Sequence, residues 1–237
     1  MSAAPAPTPA RPLPDAADKP RAVEAMFDRI ASRYDLLNRV LTFGLDVSWR
    51  RRTVASLGLP TGSRVLDVAC GTGDLCRELT RAGLRAAGVD FSAGMLRAAR
   101  TTAPLVRGDA LRMPFPDDAF DGVTCGFALR NFAALEPVLD EMARVVRPGG
   151  RLALLDVAEP AGGLALAVHR TWFRRVVPFV GGLVSDRTAY AYLPASTAYL
   201  PPPAALVSAV GAHGFEHVAH TTLGLGAAQL VTGTRAP

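Results

Sequence analysis

The chain has 237 residues, 49% hydrophobic and 20% charged, with a formal net charge of +5. That composition can fill a packed core, excludes a wholly disordered or collagen-like chain, and suits one domain with an elaboration. A basic balance admits an anionic partner or membrane surface without requiring one, and the 26 basic residues include a single lysine, Lys19. No apolar run approaches the roughly 18 residues of a spanning helix. The three cysteines, Cys70, Cys76 and Cys125, are too few and too scattered for a disulfide framework and point to a reducing, cytoplasmic setting. Neither they nor His169, His213, His217 and His220 have the spacing of a zinc site, so no metal is expected.

Residues 1–20 are rich in proline and alanine and read as a disordered tail. From 21 to 60 the pattern turns helical and predicts an N-terminal cap. Val23, Met26, Phe27 and Ile30 share a helix face, Leu36, Leu37, Val40 and Leu41 continue an apolar stripe, and Trp49 opens a third segment with Arg50, Arg51 and Arg52 on its polar side. After the break at Pro60–Gly62, short apolar runs alternate with helical stretches. Strands are predicted at Val65–Ala69, Arg85–Val89, Leu105–Arg107, Phe120–Cys125 and Arg151–Val157. Helices are predicted at about Gly73–Ala82, Ala93–Arg100 and Leu135–Val146, the last stopping at Pro148-Gly149-Gly150. Such alternation predicts an α/β fold, a mostly parallel sheet with helices on both faces, over residues 61–237. An insertion at about 161–200 interrupts it, with a helix at Leu164–Val177. Ala204–Ala212 restores a helix, and Gly214–Thr222 with Ala227–Thr234 predict a closing antiparallel pair.

The most informative stretch is Val65-Leu66-Asp67-Val68-Ala69-Cys70-Gly71-Thr72-Gly73-Asp74, a buried strand entering a glycine turn and then a helix. Glycines let a backbone approach a ligand, and a helix N-terminus offers free N–H groups. A dinucleotide-binding G-x-G-x-x-G turn needs a third glycine where this chain has Cys76. Asp67 and Asp74 flank the turn and suit a ligand that carries an ammonium group, as S-adenosyl-L-methionine (SAM) does. Asp90, 19 residues beyond Gly71 and ending the next strand, can accept both hydroxyls of a ribose. Gly108-Asp109-Ala110 follows the third strand and suits an adenine amino group. Together these strand ends outline one nucleoside pocket.

In this order the residues resemble the class I SAM-dependent methyltransferases, a Rossmann-like fold with a seven-stranded sheet whose last strand is antiparallel. More narrowly, Met26-Phe27-Asp28-Arg29-Ile30-Ala31-Ser32-Arg33-Tyr34-Asp35-Leu36-Leu37-Asn38, Thr42-Phe43-Gly44-Leu45 and Trp49-Arg50 are similar to the N-terminal signature of the ubiquinone/menaquinone biosynthesis C-methyltransferases. The runs Met113–Asp121, Phe127-Ala128-Leu129-Arg130-Asn131, Arg147–Leu152 and Tyr192-Leu193-Pro194 with Ser196 extend the match from about Val23 to Thr234. Carried over, the family's SAM contacts fall on Thr72, Asp90, Asp109, Ala110 and Gly126. Asp67, Gly71, Gly73 and Phe91 complete the expected cofactor site. The chain departs from the family at Gly126 (usually Ser), Ala128 (usually Gly) and Asp46 (often His).

The resemblance implies C-methylation of a prenylated quinol ring, demethylmenaquinol to menaquinol, in respiratory quinone biosynthesis. The alternative is an O- or N-methyltransferase of small phenolic or secondary metabolites. Methyl transfer is an in-line displacement, so the enzyme's task is to position the acceptor and exclude water. Arg130 is expected at the pocket rim, where its donor fork would stabilise a phenolate. Asn131 would hydrogen-bond a quinol hydroxyl, and Tyr34, with Asp35, would close over the substrate. The expected partner is a lipid-like quinol or another phenolic small molecule. Peripheral contact with the inner face of a membrane, through the basic helix Leu164–Val177, and a homodimer are compatible with this reading. Nucleic acid is not an expected partner, because the Asn/Asp-Pro-Pro-aromatic motif of amino-methylating DNA enzymes is replaced by Thr124-Cys125-Gly126-Phe127.

Overall fold

The computed structural model describes residues 19–160, 162, 163, 166, 167, 171 and 196–237. The tail before Lys19, most of the helix expected at Leu164–Val177 and the Tyr192-Leu193-Pro194 stretch lie outside the described residues. Three helices come first: α1 (Lys19–Ile30), α2 (Tyr34–Leu41) and α3 (Leu45–Ser56). There follow β1 (Arg64–Val68), α4 (Asp74–Arg81), β2 (Arg85–Asp90), α5 (Ala93–Ala98), β3 (Leu105–Arg107), β4 (Phe120–Gly126), α6 (Glu136–Val145) and β5 (Val146–Val157). The described chain closes with α7 (Pro203–Ala212), β6 (Phe215–Leu223) and β7 (Ala228–Arg235). The strands form one seven-stranded sheet in the order β3-β2-β1-β4-β5-β7-β6. β1 to β5 pair parallel, and β7 runs antiparallel to both neighbours. The order reverses between β1 and β4, so their C-terminal ends splay apart into a crevice.

The two-residue period of the strands sorts the core into two layers. On one face Leu66, Val68, Val123, Cys125, Leu152 and Leu154 pack against Val138, Leu139 and Met142 of α6 and Leu206 and Val210 of α7. On the other Val65, Ala86, Ala153 and Leu230 meet Val54 of α3 and Leu75, Cys76 and Leu79 of α4. The same alternation carries Asp67 and Thr124, register partners on β1 and β4, to the α4 side.

The cap differs from expectation in two respects. Within α2 only Leu37 is buried, and Leu36 and Val40 are exposed. In α3 the residues 46, 49, 50 and 53 recur at i, i+3, i+4 and i+7. Asp46, Trp49, Arg50 and Thr53 therefore turn inward together, and Arg50 is only 5% exposed rather than on the polar side with Arg51 and Arg52. Other boundaries moved for local reasons. α5 stops at Ala98 because Ala99 is extended, and the amide of Arg100 donates to the Thr72 carbonyl at 3.1 Å. β5 begins at Val146, ahead of Pro148-Gly149-Gly150. Val146 already pairs with Phe120, and the register shifts before Arg151 meets Gly122.

Long-range contacts clasp the cap to the sheet. The Asp28 carboxylate accepts from the Ser92 hydroxyl and from the Gly94 amide at 2.8 Å. The hydrogen bond from Ser92 is the main reason Asp28 is held below the usual carboxylate range. Lys19 Nζ donates to the Phe132 carbonyl at 2.7 Å. Gly94 is needed for the close approach, since a Cβ there would lie 2.6 Å from Asp28 Oδ1 and 2.9 Å from its Cα. Gly94→Ala is expected to push α1 away from α5 and cost about 1–3 kcal/mol. Thermal denaturation measures this, and an unchanged midpoint would mean that the clasp yields without strain.

Candidate active site

The crevice between the C-terminal ends of β1 and β4 is a cleft enclosing about 1150 Å³ of empty space, its open mouth included. β1 leads through Ala69 (φ +55°) into Gly71 (φ +55°) and Gly73 (φ +81°), the residue immediately before α4. β4 ends through Gly126 into Phe127 (φ +61°). Positive φ at two non-glycine residues, one on each side of the crevice, is costly, and such strain concentrates at ligand sites.

Ten of the twelve expected site residues line this cleft: Tyr34, Asp67, Gly71, Thr72, Asp90, Phe91, Asp109, Ala110, Gly126 and Asn131. Gly73 is not among the lining residues; its Cα faces Thr101, whose methyl a Cβ would meet at 2.7 Å. Arg130 is not among them either. The rim position expected for it is corrected by its burial: Arg130 is 4% exposed and pairs with Asp156, 0% exposed. The same guanidinium donates to the Phe127 carbonyl at 2.8 Å and to Ser196 Oγ at 3.2 Å. Its donor fork is thus turned behind the end of β4, where it braces the turn that carries Asn131.

The acidic residues hold the loops that would hold a nucleoside. Asp90 Oδ2 accepts the Gly71 amide and Oδ1 the Ser92 amide, both at 2.8 Å. Burial pushes the Asp90 carboxyl up from its ordinary range, against the pull of these bonds. The exposed Asp109 accepts the Leu111 amide at 2.9 Å, fixing the turn after β3. Phe91, exposed at the cleft, offers an apolar ring beside Asp90. On the cap side Tyr34 stacks edge-on against Phe27, 5.7 Å between centroids, and both line the cleft. Asp35 accepts from the Thr72 hydroxyl and lies 3.6 Å from Arg77, so its observed partners are the glycine turn and α4.

Asp67, 1% exposed, accepts from Thr124 Oγ1 at 2.8 Å, with Cys76 Sγ 3.7 Å away. Burial pushes its carboxyl up to about 7. It therefore binds its proton more tightly in the folded chain than in the unfolded one. Its contribution to stability is fully present below an ordinary pKa of 3.8 and is lost as pH rises through about 7. Asp67→Asn, neutral throughout, is expected to gain on the wild type by at most about 4 kcal/mol between pH 4 and pH 8 and to hold that gain above it. Urea unfolding of both proteins across this range measures the gap. A gap independent of pH would mean that Asp67 stays ionised.

Sequence reasoning missed Arg50, which lines the cleft. The signal was present in the inward period of α3 and in the i, i+4 spacing of Asp46 and Arg50, which pair in the structure. Asp46, where the resembling family often has His, is thus the buried partner of a cleft arginine. A Cβ at Gly126, where that family usually has Ser, would lie 2.6 Å from Leu75 Cδ1. Among the described residues no group of three or more His, Cys, Asp and Glu could hold a metal ion.

The donor set fits SAM. Buried or half-buried carboxylates surround the turn, Gly71 has open space where a Cβ would stand, and Asp109 and Ala110 line the same cleft. Comparison with known proteins agrees. The model of the ubiE/COQ5 methyltransferase family matches residues 15–235. The chain is 47% identical to the demethylmenaquinone methyltransferase of Deinococcus radiodurans, over 86% of this chain and 89% of the relative. It is 45% identical to that of Thermus thermophilus, over 89% and 100%. The ubiquinone/menaquinone biosynthesis C-methyltransferase of Geobacter sulfurreducens is 39% identical over 92% and 90%. Among solved structures, a SAM-dependent methyltransferase of Thermotoga maritima shares the fold with a TM-score of 0.64 at 18% identity, covering 89% of this chain and 98% of that one. Strand order, cleft and sequence similarity lead to one conclusion: the chain belongs to the ubiE/COQ5 methyltransferase family and is a SAM-dependent methyltransferase.

Proposed function

We propose that this protein methylates the ring carbon of a prenylated quinol, demethylmenaquinol to menaquinol. The observation that carries the reading is a cleft with two chemistries. Its β1–β2–β3 side presents carboxylates and the glycine turn, and its cap and β4 side presents Phe27, Phe127 and Phe132 with the polar groups of Tyr34 and Asn131. The first side suits a cationic nucleoside and the second an aromatic ring with hydroxyl groups. The relatives named as demethylmenaquinone methyltransferases supply the ring.

When bound, SAM supplies a methyl group made electrophilic by its sulfonium. Asp90, Phe91, Asp109 and Ala110 would hold the nucleoside, and Asp67, Gly71 and Thr72 would hold the amino-acid end. Tyr34 and Asn131 hydrogen-bond the quinol hydroxyls and aim the ring carbon. Loss of a phenolic proton makes that carbon nucleophilic. Methylation of that carbon would expel S-adenosylhomocysteine with the electron pair of the carbon–sulfur bond, and water would carry the ring proton to the phenolate oxygen as the ring becomes aromatic again. The aromatic side chains and the cap exclude water from the reacting atoms. Arg130 acts as a positioning residue, holding the Phe127 carbonyl and hence Asn131. A long-tailed quinol lives in a bilayer, so the reading includes peripheral attachment to the inner face of the membrane by an otherwise cytoplasmic protein. Among the described residues no helix is long and apolar enough to cross a membrane.

The test is methyl transfer from labelled SAM to reduced demethylmenaquinone, with mass analysis of the product. Ring methylation supports the reading. Binding of SAM without transfer to this acceptor, together with turnover of a simple phenol, would overturn it.

A further inference from the structure

The charges of the cleft are lopsided. Five carboxylates line it, those of Glu24, Asp67, Asp74, Asp90 and Asp109, against one basic side chain among the described lining residues, Arg50. SAM has the complementary pattern of two cationic centres, sulfonium and ammonium, and one carboxylate. The carboxylate is the part of the ligand that an acidic cleft repels, so it requires a cation.

Arg50 is built to supply it. It is 5% exposed, projects from α3 of the cap into the cleft, and lies over the Phe127 ring at 5.2 Å from guanidinium to centroid. One terminal nitrogen donates to Asp46. The other lies 3.3 Å from Asp74 Oδ2, an atom without a hydrogen-bond partner among the described residues. A guanidinium carries five N–H groups in a rigid fork, so donors remain for a ligand after these contacts. Asp74 is shared, pairing also with Arg77 and lying 3.8 Å from Arg39, so it holds Arg50 in place without belonging to it alone. The side chain is held from two sides and needs little ordering when a ligand arrives.

Resting on the SAM reading of the cleft, we infer that Arg50, held by Asp46 and Asp74, is the anchor for the α-carboxylate of the methionine moiety. The carboxylate is the same before and after methyl transfer. Arg50 therefore contributes equally to substrate and product binding, and its loss raises KM for SAM with little change in kcat.

The experiment is calorimetric binding of S-adenosylhomocysteine and of its decarboxylated analogue, which keeps the amine, to the full chain. Wild type is expected to prefer the carboxylate-bearing ligand by about 10- to 100-fold. Arg50→Met is expected to reduce that preference to about threefold or less while binding of the decarboxylated analogue stays nearly constant. Arg50→Lys, which keeps the charge, retains part of the preference and serves if the Met variant does not fold. Equal weakening of both ligands in the variants would make Arg50 a purely structural residue and overturn the inference. A wild type that does not discriminate between them would overturn it without any variant. A wild type that binds neither ligand would instead bring down the SAM reading on which it rests.

Discussion

Asp90→Ala is expected to weaken SAM binding at least about 100-fold, through the loss of charge-assisted bonds at two places at once. One carboxylate oxygen holds the Gly71 amide of the turn after β1, and the other holds the Ser92 amide that starts α5. Truncation strands both amides and frees a loop whose Gly71 has a left-handed backbone. It also removes the acceptor proposed for the ribose. Asp90→Asn is expected to do about as much damage, because an amide presents N–H groups toward one of two backbone donors. Stability should fall less than affinity: the bonds contribute about 1.5–3 kcal/mol each, but burial already opposes the charged carboxyl. Binding of S-adenosylhomocysteine by calorimetry and thermal denaturation separate the two effects. Affinity within about threefold of wild type would remove Asp90 from the cofactor site.

The second large effect is in stability. Arg130→Met leaves Asp156 as a buried carboxylate without its cation and is expected to cost about 3–5 kcal/mol. Asp156 already has one oxygen without a hydrogen-bond partner among the described residues. The double variant Arg130→Met with Asp156→Leu removes both charges and is expected to regain most of the loss, since a buried pair is often replaceable by apolar packing. Equilibrium unfolding of the two single variants and the double variant measures the coupling. Turnover of the folded double variant then decides Arg130's part. A positioning residue leaves activity within about tenfold, whereas a group that stabilises the phenolate directly loses about a thousandfold.

Much of this site could be read without a structure. The strand–turn–helix at Val65–Asp74 and the carboxylates at the ends of successive strands announced a nucleoside cleft, and Asp67, Gly71, Thr72, Asp90, Asp109, Ala110 and Gly126 all line it. What was misplaced were arginines. Its place after β4 predicts a rim position for Arg130, and its neighbours Arg51 and Arg52 predict a polar face for Arg50. A long cationic side chain can be aimed inward or outward from nearly the same backbone position. Which way it goes depends on the carboxylate it meets, and for Arg130 that is Asp156, 26 residues away in sequence.

The sequence by itself determined the α/β alternation, the glycine turn, the order of the acidic strand ends and the family. These rest on periods and turn chemistry that act over a few residues. Tertiary structure alone decided that Arg130 braces β4 from behind and that Asp28 clasps Gly94 across 66 residues. For Arg130 the outcome depends on where the chain's path brings a cation and a carboxylate out of water together, and for Asp28 on where it brings an exposed carboxylate against the Ser92 hydroxyl and the Gly94 amide. Burial makes the charges of Arg130 and Asp156 costly unless they are paired, so the fold settled on the arrangement that pairs them.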